Sequence, residues 1–515
     1  MASKSPGRLQ YLFTSTKGLI LMAAAFISII AAIWATLSGP MVEWGVRDIT
    51  VDLLNMDLIQ AEREGRLVML YHSIAMIITA IVVYLITAVV PMDKTYAKWS
   101  NGLVTFGYYL TVFPGMAFAY FGHEWTLHGV YLVGLSIIFL VGCILVVAIW
   151  PWNKKYYLKP DSKMFVMKSG FSWERFTFWF VVICAIVSAA FGAWSGSHFG
   201  NGFTAFLAED TVRENDKTYY MKAIVGHLHI MLALIGIFAT LIVGRWLDWK
   251  GILHKLGMPG FIIGSLFLTF GSLSVTVTEA AHTFVYVGAV FSMTGGLFLV
   301  IYGMPKITKD RLKEQGFEGK AGFWNTTKAL LHDPLKFGVL WQMIFMNFTT
   351  SFVGIFMAAK LDDIFRSELW NHREERIELT GHWHILATII AIMILFYYAD
   401  KVNLQGKARQ IFGWTILIGS DLAFTAITIF EMKRLFIEEY AQQALVNNLM
   451  LLADIGLAAV MIALAVFMVW RLVDLLKKDG TWKSDVLVEE FIVTGSSIDD
   501  PRNTGTLAAY RDQIS

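Results

Sequence analysis

Twelve stretches of this chain stay apolar for long enough to cross a lipid bilayer. They fall at about 18–38, 67–90, 102–121, 129–150, 174–195, 221–244, 258–277, 283–304, 337–358, 382–399, 409–431 and 447–473. Each is close to the roughly 17–25 residues that a helix needs to span the hydrocarbon core. Lipid offers no water to backbone N–H and C=O groups, so a spanning segment is either a helix or part of a closed barrel. Barrel strands run about ten residues with alternating polarity, whereas these runs are longer and continuously apolar. The expectation is an all-α, polytopic membrane protein of about twelve transmembrane helices. It comprises a membrane domain over residues 1–478 and a polar cytoplasmic tail over 479–515. Composition agrees: of 515 residues, 56% are hydrophobic and 16% charged, below the roughly 25% charge of soluble domains.

Lysine and arginine set the expected orientation. Basic residues gather in alternate connections: Lys4, Arg8 and Lys17; Lys94 and Lys98; Lys154 to Lys168; Arg245, Lys250 and Lys255; Lys306 to Lys336; and Lys401, Lys407 and Arg409. An even helix count puts all of them on one side, read as cytoplasmic, with both termini there. The first apolar run is longer than the hydrophobic region of a signal peptide and lacks a small-residue cleavage site, so it reads as an uncleaved span. The expected location is a cell's inner (plasma) membrane. Nothing in the chain suggests nucleic-acid binding.

Two cysteines, Cys143 and Cys184, both in apolar runs, exclude a disulfide framework, a zinc ribbon and a covalent c-type haem site. The histidines carry more. On the expected topology His72 lies near the outer start of span 2, His227 and His229 near that of span 6, His282 at the outer turn between spans 7 and 8, and His382 and His384 at the mouth of span 10. Ionisable residues in spans are costly and tend to be functional. Histidine from four parts of the chain at one depth points to a metal or haem centre. In 226-GHLHIML-232 and 380-TGHWHIL-386 the histidines stand two apart, about 200° around a helix. Such a pair leaves the helix in nearly opposite directions and suits two centres better than one. Imidazole suits iron and copper, and haem iron commonly takes an axial histidine. His123, His128 and His198 read as loop residues; His254, His332 and His372 read as solvated. Lys433 and Arg434, in 431-EMKRLF-436, could grip anionic propionates. Asp421 and Asp454 read as isolated span acids.

These positions together resemble the haem–copper oxidase superfamily, the large subunits of respiratory oxidases and nitric oxide reductases. The resemblance runs through nearly the whole chain, by helix order more than residue identity. It implies a twelve-helix bundle and two haems, of b type, with a second metal, iron or copper. By the resemblance, 66-RLVMLYHSIAM-76 supplies His72 to a low-spin haem. His384 is then that haem's other ligand, and His382 holds the high-spin catalytic haem. His227 and His282, with His229 in reserve, hold the second metal, and Lys433 and Arg434 meet the propionates. Glu279 is a carboxylate near the pocket by position, and Tyr286 a hydrogen donor one turn beyond His282. The implied activity is reduction of a small diatomic, nitric oxide or oxygen. Electrons would come from a separate cytochrome c, cupredoxin or quinol, with a small membrane subunit as partner.

The sequence departs from the family pattern in three places. The span 7 histidine pair is reduced to Ala281-His282. The tyrosine that oxidases cross-link on span 6 is missing. Met231 stands where nitric oxide reductases carry a glutamate. No ladder of acids or lysines leads across the membrane to the site. A second reading follows: a dihaem electron-transfer subunit with a degenerate catalytic site, passing electrons between a quinone and a partner. A third, a transporter with histidine relays, is opposed by the shallow placement of the histidines, since transporter sites lie near the midplane on broken helices.

Overall fold

The computed structural model describes residues 7–38, 42, 44–58, 63–158, 165–199, 219–317, 321–350, 353–355, 372–433, 439–478 and 480–483. The protein is all-α: among these residues there is no strand, only an isolated bridge between Val166 and Ser172. Its main helices are α1 (Thr16–Ser38), α2 (Arg63–Val89), α3 (Lys94–Phe121), α4 (Trp125–Ala148), α5 (Trp173–Phe199), α6 (Tyr219–Trp246), α7 (Ile252–Val275), α8 (His282–Glu314), α9 (Pro334–Ile344), α10 (His372–Lys401), α11 (Gly406–Met432) and α12 (Glu439–Leu476). All but α9 are long and apolar enough to cross a membrane, which makes eleven spans among the described residues and a polytopic membrane protein.

The ninth expected run takes a different form. Helix α9 ends at Ile344, the backbone widens into a π-turn over Phe345–Thr350, and helical geometry returns at 353–355. Buried Asn347 sits in that π-turn and donates from Nδ2 to the Met343 carbonyl, 2.7 Å away. A buried polar side chain among apolar residues is satisfied there by the local backbone.

The chain forms two compact units, residues 1–288 with 473–515, and residues 289–472. In the first, α2, α3 and α4 pack in sequence, α5 and α6 pair, α7 lies against both, and α2 also meets α6. Small residues allow the close approaches, as is usual where lipid removes the hydrophobic drive between helices. A Cβ on Gly134 of α4 would stand 2.5 Å from Thr111 Oγ1 and 2.8 Å from the Gly107 carbonyl of α3.

Guanidinium groups tie helix ends together. Arg245, at the end of α6, pairs with Glu174 of α5 at 2.9 Å and donates to the Val89 carbonyl that ends α2. Arg175 donates to the carbonyls of Pro91 at 2.6 Å and Ala148 at 3.2 Å. Cations at helix C-termini satisfy carbonyls that the helix leaves open.

In the second unit α9, α10 and α11 pack against one another, and α11 meets α12 through Gly419 and Gly456. Asp333 caps α9, accepting from the Leu335 N–H at 3.2 Å, and binds Arg409 of α11 at 2.7 Å. Arg409 also reaches Asp400, near the end of α10, at 2.8 Å. One guanidinium therefore fixes an end of three helices.

Candidate functional site

The histidines sit deeper in their helices than hydropathy suggests. Helix α10 begins at His372, and the polar turns 372–380 precede the apolar segment that starts at Gly381. His382 is thus about three turns inside its helix rather than at its mouth. His72 of α2 is about two and a half turns in and His227 of α6 about two. His282 does open its helix, α8.

His72 is half-buried, and its Nδ1 lies 2.9 Å from the carbonyl oxygen of Val68, one turn earlier. A carbonyl only accepts, so Nδ1 carries the proton and Nε2 keeps its lone pair. His227 repeats the arrangement through another helix: Nδ1 lies 2.8 Å from the Ser188 carbonyl of α5 and 3.2 Å from the Ser188 hydroxyl. Its ring lies against Gly192, where a Cβ would come within 2.7 Å of Nδ1 and Cε1. In both histidines a carbonyl fixes the tautomer and the ring, which is how proteins orient a metal-ligating imidazole.

His229, two residues on, is half-buried. His282 stacks on Tyr286 with ring centroids 6.3 Å apart and planes 22° from parallel, so the phenol expected one turn away does lie beside the imidazole. The backbone of Glu279 forms a 3-10 turn with Ala280 and Ala281; its side chain lies outside the described residues.

In the second unit His382 is 6% exposed, whereas His384 is exposed. That split matches the 200° between them. The Cε1–Nε2 edge of His382 faces Gly354, where a Cβ would stand 2.7 Å from either atom. Lys433 caps α11, is nearly buried, and holds its ammonium 4.3 Å above the Phe430 ring centroid. Arg434 lies outside the described residues.

The donor chemistry fits ligation by imidazole. His72 and His227 each offer an Nε2 lone pair on a held ring, and glycines let the His227 and His382 rings come closer to the neighbouring backbone than a Cβ would allow. Among the described residues, no three His, Cys, Asp or Glu side chains converge closely enough to hold a metal ion together.

Four sequence expectations need correction. His128 is not a loop residue: it lies in α4, 3% exposed, with its Nδ1 3.0 Å from His123 Nε2 and its ring among Phe118, Trp125 and Tyr131. His198 falls in the last turn of α5. His254 is not solvated but buried in α7, edge-on to Trp249. Asp421 is not isolated: Trp341 Nε1 donates to Oδ2 at 2.7 Å and Gln342 Nε2 to Oδ1 at 3.2 Å. Only tertiary packing brings those donors to it. Sequence reading also passed over Glu431. It is 1% exposed, with its carboxyl against Gly381 beside His382.

No protein-family model matches this chain, and a comparison with curated proteins finds no match.

Proposed function

We propose that the protein is a membrane redox subunit that binds two haems and reduces a small diatomic, nitric oxide or oxygen. The observation that carries this reading is the shared tautomer of His72 and His227, each held through Nδ1 by a backbone carbonyl so that Nε2 is the basic nitrogen. A metal-ligating imidazole usually donates its other N–H to such an acceptor, and both rings are held that way.

On this reading His72 and His384 would hold one b-type haem and His382 the other. His227 and His282, with His229 in reserve, would hold a second metal, iron or copper, and Lys433 and Arg434 would meet the propionates. The bound groups supply electrons and Lewis acidity at the substrate. The chain's own residues do the rest. The Ser188 carbonyl keeps His227 in one tautomer, and Gly192 keeps its ring in one plane. The Tyr286 phenol, beside His282, would offer an O–H to the bound substrate, and Glu279 is the carboxylate assigned to the same region. Electrons enter from a separate cytochrome c, cupredoxin or quinol, and a small membrane subunit completes the assembly. The lysine and arginine pattern supports cytoplasmic termini in a plasma membrane.

A second reading, a dihaem electron-transfer subunit with a degenerate site, is favoured by buried Ala281, which offers no ligand beside His282. Consumption of nitric oxide and of oxygen by the purified, reduced protein separates the two. Turnover of either gas that His227→Ala abolishes supports the enzyme. Haem reduction and reoxidation by carriers without consumption of either gas supports the electron-transfer subunit.

A further inference from the structure

The second unit contains a polar cluster inside its apolar helices that the redox reading does not use. Asp421 of α11 lies about 22 Å along its helix from Gly406, within a membrane-spanning segment. Trp341 Nε1 and Gln342 Nε2, both from α9, donate to its two oxygens. Gln342 Nε2 is also 2.9 Å from Ser420 Oγ, which donates to the Leu417 carbonyl. Gln342 is fully buried, and among the described residues its Oε1 has no hydrogen-bond partner. Leaving a buried acceptor open costs about 1–3 kcal/mol.

We propose that Asp421 and Gln342 form an intramembrane proton-binding site, in which the carboxyl group alternates between charged and neutral forms and the amide turns to match. In the charged form the present contacts hold: Trp341 and the Gln342 amide both donate to the carboxylate. In the neutral form a proton sits on Oδ1. A half-turn of the Gln342 amide then brings Oε1 to accept from Asp421 O–H and from Ser420 Oγ–H. Trp341 continues to donate to Oδ2. One O–H bond forms or breaks, and no electron moves. Each form leaves one end of the amide open, so that cost is common to both and does not pin the carboxyl in either. A carboxylate held only to stabilise packing would not need a reversible partner; an alanine-like or apolar pair would fill the space at lower cost.

Few other charges compete. Between the Asp333–Arg409–Asp400 cluster at one end and His382 and Glu431 at the other, α9 adds only Lys336, beside the cluster. Helices α10 and α11 add His384, two residues from His382, and Lys401 and Lys407, at the cluster end. Helix α12, which crosses α11 at Gly419 and Gly456, brings Asp454 to a similar level. The assignment holds whether or not haem binds His382, so its test is independent of the redox reading.

Infrared difference spectra of the full-length protein in proteoliposomes, between acid and alkaline pH, test it. The expected result is a protonated-carboxyl C=O band that shifts down in deuterium oxide and is lost in Asp421→Asn. In Gln342→Leu, which removes the acceptor, the band persists at higher frequency. Asp454→Asn and Glu431→Gln leave it in place. Proton uptake across the same pH range falls by about one per chain in Asp421→Asn, by direct counting of the lost site. A band untouched by Asp421→Asn overturns the proposal. So does an Asp421 ionised at every pH, or a band that follows sodium concentration instead of pH.

Discussion

Gly192 of α5 is the floor on which the His227 imidazole rests: a Cβ there would stand 2.7 Å from both Nδ1 and Cε1 of the ring. Those distances are well inside van der Waals contact, so Gly192→Ala must push the ring away from Ser188. Overpacking of this kind costs about 1–3 kcal/mol. The expected outcome is loss of the second metal with the haem on His72 retained. Metal analysis alongside the reduced haem spectrum checks it, and unchanged metal content contradicts it.

Gly354 plays the same part for His382. Its absent side chain lets the Cε1–Nε2 edge of the imidazole lie close to the backbone, where a Cβ would stand 2.7 Å from both atoms and would clash. Gly354→Ala is expected to abolish carbon monoxide binding by the reduced protein while sparing the haem assigned to His72 and His384. Gly354→Ser should behave alike, because the clash comes from Cβ.

Asp333 caps α9 and holds Arg409, which also holds Asp400. Asp333→Ala removes the cap and leaves a largely buried guanidinium with one carboxylate, Asp400, and the Leu404 carbonyl. Breaking a buried pair from one side costs on the order of 3 kcal/mol, and cap loss adds about 1 kcal/mol. Denaturation in mixed micelles is expected to show a loss of this size, with Arg409→Lys recovering less than wild type because it cannot bind two carboxylates at once.

One surface pair supplies a pH dependence. Lys155 hydrogen-bonds Asp93 and holds its carboxyl below the ordinary range against some desolvation, with Tyr156 and Arg175 adding to the effect. A carboxyl whose folded pKa is depressed stabilises the fold above its unfolded pKa, and that contribution is lost as pH falls through the folded value. Asp93→Asn should therefore lower thermal stability slightly at neutral pH and flatten its decline in acid. The effect is small because both side chains are about half exposed, at 56% and 44%. Melting curves in moderate and high salt check it; the wild-type advantage should shrink with salt.

The membrane helices were legible because long apolar runs have one structural solution in lipid. Their ends were less so. Residues 372–380 read HREERIELT, polar enough to end an apolar run yet composed of residues that extend a helix, and α10 begins there. The ninth run is apolar throughout, and nothing in it announces the π-turn that Asn347 enters. The opposed burial of His382 and His384 follows from spacing alone. The partners of Asp421 and the burial of His128 and His254 depend on contacts between helices, which a period along one helix does not encode. Glu431 went unremarked because a glutamate beside Lys433 and Arg434 reads as an exposed charge; Gly381, opposite it, was the available signal.

Haem content, with carbon monoxide difference spectroscopy on the reduced protein, tests the central claim most directly. A pyridine haemochrome assay is expected to return two b-type haems per chain. Carbon monoxide should shift the spectrum of one, the haem assigned to His382, and leave unchanged the one assigned to His72 and His384. Protein purified from haem-sufficient cells without haem would contradict the account, as would a His72→Ala or His382→Ala variant with its full complement.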